Sequence, residues 1–239
     1  MLNQFSRTEL LIGAEALKKL NNSKVAIFGI GGVGSFVVEG LSRAGIGNFM
    51  LIDNDNISIT NLNRQLIALH STIGENKAEA ARRRILDINP NANVEIINEF
   101  FIPSSTDFFD SSINYIVDAI DTITSKIELV DRANKHNIPI ISSMGTGNKM
   151  DPTKFEISDI YKTSMCPVAK ILRKELKKRK IERLKVVYSK EEPIKNYVVN
   201  ETEYKGATNN KVPGSISFVP SVAGLIIAGE VIKDLIKND

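Results

Sequence analysis

At 239 residues the chain is long enough for one large domain, or for a domain with a small appendage. Hydrophobic residues make up 42% and charged residues 25%, the ordinary balance of a soluble globular protein, and a net charge of +3 is too small to imply a partner by itself. A single cysteine, Cys166, excludes an intrachain disulfide and a four-cysteine zinc site, and fits a reducing, cytoplasmic setting.

Residues 3–20 read as an amphipathic helical arm that carries Arg7, with Ser6 as a candidate cap. Met1 to Leu20 mixes charge with apolar residues throughout, unlike a secretion signal. Val25 to Phe28 is a short apolar run suited to a buried parallel strand. Gly29, Gly31, Gly32 and Gly34 follow at a turn, and Val33 to Ala44 repeats apolar residues at helical spacing. Glycines at a helix N-terminus let the backbone approach a phosphate, where free N–H groups and the positive dipole end favour an anion. A second strand, Phe49 to Ile52, ends in Asp53, about where a ribose-binding carboxylate falls in such a unit.

These elements alone suit a dinucleotide as well as ATP, or a tight turn with no ligand. The following segment distinguishes them. Asp55, Asn61, Arg64 and Gln65 crowd into one polar loop, and Lys77 sits just inside a helix over about Gly74 to Asn89. Asp53 and Asp55 can bracket a ribose, while Arg64 and Lys77 supply fixed positive charge suited to a triphosphate. A dinucleotide needs little such charge, so the cations favour ATP over NAD.

Val94 to Glu99 alternates as a third strand, and Ser104 to Asp110 is a candidate short helix. Tyr115 begins a fourth strand whose carboxyl end carries Asp118 and Asp121. An acid facing a triphosphate there requires a metal between them, so Asp121 is a candidate magnesium ligand. It is equally placed to cap the next helix, with Thr122 and Thr124 as competitors. Helix Ser125 to His136 and strand Ile138 to Ser143 continue the alternation up to Gly147.

Beyond Gly147 the pattern changes. Lys154 to Tyr161 alternates like an antiparallel strand, Pro167 to Ile181 is a basic helix, and Val186 to Tyr188 is another strand. Ser189 to Val212 is polar and aperiodic and reads as a loop, followed by a last strand at Ser215 to Val219 and a closing helix to Ile236. The most apolar stretch, Phe218 to Ile232, contains Glu230 and is too short to span a membrane. The expected architecture is a Rossmann-like, doubly wound, mostly parallel α/β sheet with an N-terminal helical arm and a C-terminal antiparallel extension. It divides into an arm (1–22), a nucleotide-binding core (23–147) and a substrate-facing extension (148–239) of one domain. Lys170, Arg173, Lys174, Lys177 and Lys178 form the basic helix face, suited to an RNA backbone or simply to solvent.

Gly29-Ile-Gly-Gly-Val-Gly34, Asp53-Asn-Asp55, Asn61-Leu-Asn-Arg64-Gln65, Lys77 and Asp121 together resemble the ATP site of the ubiquitin-activating and sulfur-carrier-activating superfamily, over nearly the whole chain. The resemblance implies adenylation of a carboxylate with release of pyrophosphate. It implies phosphate contacts at Gly32, Gly34, Arg64 and Lys77, a ribose contact at Asp53, and magnesium at Asp121. It also implies that Arg7 reaches into a second subunit's site, hence a homodimer.

Sulfur-carrier activators usually carry two Cys-x-x-Cys pairs, which this chain lacks. Asp159-Ile-Tyr-Lys-Thr-Ser, Arg173-Lys-Glu-Leu, Val187-Tyr-Ser-Lys-Glu-Glu-Pro193 and Pro213 to Gly224 instead resemble the tRNA threonylcarbamoyladenosine dehydratases. That branch implies ATP-dependent cyclisation of the threonylcarbamoyl group on adenosine 37 of tRNA, with tRNA as partner. The alternative is activation of the C-terminal Gly-Gly of a ubiquitin-like sulfur carrier; a third class is a non-catalytic nucleotide-binding regulator. A sulfur-transfer partner is left open, and the dehydration itself needs no enzyme thiol, so Cys166 is expected to be buried or incidental.

Overall fold

The computed structural model describes residues 2–195 and 213–237. Seven strands form one sheet: β1 (Lys24–Phe28), β2 (Asn48–Ile52), β3 (Asn93–Ile97), β4 (Tyr115–Asp118), β5 (Ile140–Ser143), β6 (Phe155–Asp159) and β7 (Lys185–Ser189). Their order is β3-β2-β1-β4-β5-β7-β6. Every pairing is parallel except β6 with β7. The chain runs outward from β1 to β3 and then returns to β4 on the other side of β1. The crevice at the carboxyl ends of β1 and β4 is therefore a topological switch point, the place where open α/β sheets bind ligands. The antiparallel element is a single edge strand. Because β7 pairs in parallel with β5, the sheet continues across Gly147 without a break.

The inner strands read as continuous apolar runs because both faces are covered. Val25 to Phe28 and Tyr115 to Val117 are fully or almost fully buried. One face carries α3 (Gly34–Ala44), α4 (Lys77–Ile88) and α7 (Phe218–Ile236), packed through Val37, Leu41, Ile85, Ile227 and Val231. Helix α5 (Ile123–Lys135) contributes to two further clusters, and α6 (Pro167–Lys178) packs Ala169, Leu172 and Leu176 into one of them.

Four expectations need correction. The N-terminal arm is two helices, α1 (Ser6–Ile12) and α2 (Ala14–Asn22), because Gly13 takes φ 85° between them. Phe5 occupies the N-cap of α1, while the Ser6 hydroxyl lies inside the helix and accepts from the Asn3 amide.

Ser104 to Asp110 forms no helix. Local side chains there compete with the helical ladder: Ser105 Oγ accepts from the Ile102 amide and Asp107 from Phe109. Arg132 takes up the Pro103 and Thr106 carbonyls at 2.9 and 3.1 Å. Phe108 and Phe109 then stack on Phe28 at 6.0 and 5.8 Å, anchoring the segment to the sheet.

The last strand is absent as well. Residues 213–216 pair with the 148 turn, Gly214 N donating to Asn148 Oδ1 at 2.6 Å, and α7 starts at Phe218. Asn148 and Asn63 take up the backbone groups of Gly214 and Ser215 in place of a neighbouring strand. Fourth, β4 stops at Asp118, so Asp121 lies three residues past the strand. Of the expected 189–212 loop, Ser189 belongs to β7 and residues 196–212 lie outside the described residues.

Helix α7 is fastened to the sheet by charge as well as packing. Lys185 Nζ meets Glu230 at 2.9 Å and Asp234 at 2.5 Å, and the Tyr115 hydroxyl donates to Asp234 at 2.7 Å. Burial alone would raise both carboxyls, but hydrogen bonds, with Lys185 foremost, hold them below their ordinary values. Carboxyls depressed in the fold stabilise it above their unfolded pKa, and that contribution is lost as pH falls through the folded values. Chemical-denaturation midpoints measured across the acid range are expected to fall with pH, and Lys185→Met is expected to flatten that limb. An unchanged acid limb in the variant would remove this cluster from the pH dependence.

Candidate nucleotide and substrate cleft

The cleft begins where β1 turns into α3. Gly29 has φ 86°, and a Cβ there would lie 2.8 Å from the Ala119 carbonyl oxygen. A Cβ on Gly34 would lie 1.8 Å from the Gly29 carbonyl oxygen, an impossible contact. Both positions therefore demand glycine, which folds the turn tightly over the ends of β1 and β4. Among the described residues, the amides of Gly31, Gly32, Val33 and Gly34 have no acceptor. The first three lie in the turn that leads into α3 and the fourth opens the helix, and Gly31, Gly32 and Val33 line a cleft of about 680 Å³.

Asp53, at the end of β2, closes the next wall. Its carboxylate accepts from Ile30 N at 2.6 Å and from Asp55 N at 2.8 Å. Burial nevertheless pushes its pKa above the ordinary aspartate value, with those bonds and Lys77 acting in the opposite sense. Lys77 is the buried first residue of α4, and Asn76 caps that helix by accepting from Glu79 N. Its ammonium meets the exposed Asp55 carboxylate at 2.6 Å. Asp55 thus holds Lys77 at the cleft wall with its carboxylate while its amide is tied to Asp53.

Asn61 Oδ1 accepts from Ser58 N and fixes the polar loop. Arg64 lies over Gly32 and donates to Thr60 O and Asn63 Oδ1 at 2.8 and 3.0 Å. Gln65 is buried with Oε1 unpartnered, an acceptor left over for a ligand donor. Asp121 is exposed at the cleft, its carboxylate 3.3 Å from the Thr122 hydroxyl. Thr122 takes the N-cap position of α5 without capping through its side chain.

The structure therefore brings Gly29, Gly31, Gly32, Asp53, Asp55, Asn61, Arg64, Gln65, Lys77 and Asp121 to one cleft. Gly34 lies directly behind the turn. Arg7 is exposed on α1 and does not line this chain's own cleft. On α6, Lys170, Lys174 and Lys177 face solvent, and Lys178 is exposed but pairs with Glu175 at 2.7 Å. Arg173 instead donates to the Thr163 carbonyl and hydroxyl, so its guanidinium is committed to the fold. Cys166 is buried at the N-cap of α6 and borders the cleft.

One group at the cleft floor escapes sequence reasoning. Lys126 Nζ lies 3.0 Å from each oxygen of Asp118 and donates to Ser143 O at 2.7 Å, and both side chains are almost completely buried. The pair ties β4, α5 and the end of β5 together. The signal was a lysine on the apolar stripe of α5, with Ile123, Ile127 and Val130 at helical spacing.

The sequence profile of the ThiF family matches residues 5–239. The chain is 47% identical to the tRNA threonylcarbamoyladenosine dehydratase of Bacillus subtilis, over 100% of this chain and 96% of the relative. A solved structure of the E. coli tRNA N6-threonylcarbamoyladenosine dehydratase TcdA in complex with ATP is 31% identical. It superposes with a TM-score of 0.86, covering 97% of this chain and 93% of that one. The adenylyltransferase and sulfurtransferase UBA4 of Vanderwaltozyma polyspora is 34% identical, over 57% of this chain and 31% of its own length.

Removing one partner of a buried ion pair leaves an uncompensated charge. Lys126→Met is expected to cost about 3–5 kcal/mol, read by urea denaturation, with Asp118→Asn in the same chain recovering part of it. A loss no larger than that of a surface lysine would show that the pair is not structural.

Proposed function

The chain belongs to the ThiF family, and from that premise we propose that it is an ATP-dependent tRNA threonylcarbamoyladenosine dehydratase. The observation that carries the reading is the row of unpartnered amides at Gly31 to Gly34, which shares with Arg64 and Lys77 a cleft that continues past β5 to Pro213. Identity of 47% to a dehydratase over the full chain, against 34% over 57% of the chain to an adenylyltransferase and sulfurtransferase, favours this branch.

A free carboxylate is a poor acylating agent. Its oxygen attacks the α-phosphorus of ATP, forming a carbon–oxygen–phosphorus bridge as the bond to pyrophosphate breaks. The ureido nitrogen of the same side chain then attacks the acyl carbon, a ring carbon–nitrogen bond forms, AMP leaves, and the nitrogen releases its proton. Nucleophile and electrophile share one substrate, so their proximity is built in. The protein has to align the carboxylate with the α-phosphate and neutralise charge.

In this reading the free amides of the glycine turn cradle the phosphates, with Gly29 and Gly34 shaping that turn. Asp53 accepts from the ribose, and Arg64 and Lys77 contact phosphate oxygens. Lys77 would exchange its Asp55 partner for phosphate when nucleotide enters. Gln65 Oε1 offers a place for a nucleotide donor, and Asn61 keeps the loop in register.

No cluster of His, Cys, Asp or Glu among the described residues could hold a metal unaided. Magnesium usually relies on one or two carboxylates plus substrate phosphates, and exposed Asp121 fits that pattern. When bound, the ion would offset charge on the departing pyrophosphate.

Arg7 can serve a site only from a second copy, which the exposed Leu10 and Leu11 of α1 support as an interface. The assembly in this reading is a homodimer. tRNA lies against the exposed lysines of α6, and the extension from residue 148 onward forms the substrate-facing half. No described helix is long and apolar enough to cross a membrane. The reading places the enzyme in the cytoplasm, with no thiol step for Cys166 and a sulfur-transfer partner left open.

Incubating the enzyme with ATP and modified tRNA, then digesting to nucleosides for mass spectrometry, is expected to show loss of one water from the modified adenosine. No mass change would refute the reading. Asp121→Ala is expected to abolish that change while leaving the thermal unfolding midpoint intact; wild-type turnover would take Asp121 out of the chemistry. Lys174→Ala with Lys177→Ala is expected to weaken tRNA binding and lower the salt slope by roughly 0.7–0.9 per lost phosphate contact. Unaltered affinity and slope would move the tRNA surface elsewhere.

A further inference from the structure

The half of the cleft beyond β5 contains a cation that no part of the nucleotide reading uses. Lys149 is buried, at 5% exposure, and borders the cleft near Gly145, Thr146 and Cys166. The turn that presents it is held firmly. Asn148 takes φ 58°, donates its amide to Gly214 O at 2.8 Å, and accepts from Gly214 N and Ile194 N at 2.6 and 2.8 Å.

An ammonium has three donors, and burying one without matching acceptors is costly. Among the described residues, Lys149 Nζ has one hydrogen-bond acceptor, the Glu191 carbonyl oxygen at 2.6 Å. No hydrogen bond joins it to the Glu191 carboxylate, whose charge acts on the lysine only at longer range. Its two oxygens accept from Met150 N at 2.9 Å and Asp151 N at 3.0 Å. Burial pushes the lysine below its ordinary pKa, with the opposing pull of Cys166 and Glu191 second to it. The adjacent cleft wall is apolar, formed by Pro167, Val168 and Pro213. The site is thus a desolvated positive charge with unused donors, where an anion gains more than it would in water.

We propose that Lys149 forms an acid-binding subsite which receives the carboxylate of the threonylcarbamoyl side chain and so positions it for activation. This rests on the dehydratase reading above. The chemistry suits the step in both directions. Only the substrate carries the carboxylate; the cyclised product is uncharged there and forfeits the contact. The same ammonium that gathers the substrate therefore gives the product no comparable hold.

The test is a binding comparison without ATP, so that no turnover occurs. Affinities are measured for one tRNA carrying either the acid-bearing side chain or its primary amide, with wild type, Lys149→Met and Lys149→Arg. Wild type is expected to prefer the acid by about tenfold or more, the scale of a hydrogen bond to a charged group. Lys149→Met is expected to bind acid and amide equally, with its ATP affinity and its affinity for the amide form preserved. Lys149→Arg is expected to restore part of the preference.

A full acid preference in Lys149→Met would overturn the subsite. So would an equal loss of affinity for both tRNAs, which would make Lys149 a backbone-phosphate contact or a purely structural group. If Lys149→Met fails to fold, Lys149→Arg decides: a preference erased despite retained charge and ATP binding overturns the assignment. A parallel assay with ATP reads dehydration: wild type that dehydrates the acid form there, but binds both forms alike without ATP, overturns the subsite alone. Absence of dehydration overturns the functional reading and the subsite together.

Discussion

The cleft depends on one close approach. The Cα of Gly34 lies so near the Gly29 carbonyl that no side chain can stand between them. That contact folds the end of β1 directly into α3 and leaves four consecutive amides without acceptors. A bulkier residue at either glycine would push α3 outward and turn those amides away from the crevice. Helix α7 closes the turn from the far side: Gly224 lies against the Val33 carbonyl, and Pro220 borders Gly32. The apolar closing helix is thus a structural support for an anion site at the opposite end of the chain.

Charge is then arranged in two grades around that turn. Lys77 and Arg64 are held by groups they can exchange: an exposed carboxylate for Lys77, and a carbonyl with a side-chain amide for Arg64. Lys126 is held by both oxygens of Asp118 and by the Ser143 carbonyl, and acts as part of the scaffold. Lys149 falls between the two grades, buried like a structural cation but with one backbone partner among the described residues. This gradation separates groups that can meet a ligand from groups that hold the sheet, although all four border one cleft.

Much of this was legible in the sequence because its elements are local. Short apolar runs, glycines at a strand–helix junction and a capped amphipathic helix are each set within a few residues, and the nucleotide half follows from them. What was missed depends on distant partners. The segment at Ser104 to Asp110 has helical length and polarity, but Phe28 and Arg132 bind it as an irregular loop. Ser215 to Val219 reads as a strand, yet Asn148 and Asn63 take up the backbone groups of Gly214 and Ser215, and α7 begins at Phe218. Arg173 belongs to a basic run, but a neighbouring turn captures its guanidinium. Lys149 carried no local signal, since its burial comes from the approach of residues 191 to 194.

The central claim is that this cleft joins a carboxylate to the α-phosphate of ATP. The direct measurement uses substrate tRNA with heavy oxygen in both carboxylate positions, followed by mass analysis of the nucleotide released in a single turnover. The account predicts one heavy oxygen in the phosphate of AMP, because the oxygen that bridges carbon and phosphorus leaves with phosphorus. Label recovered in inorganic phosphate beside unlabelled ADP, or no label in any phosphorus product, would contradict it.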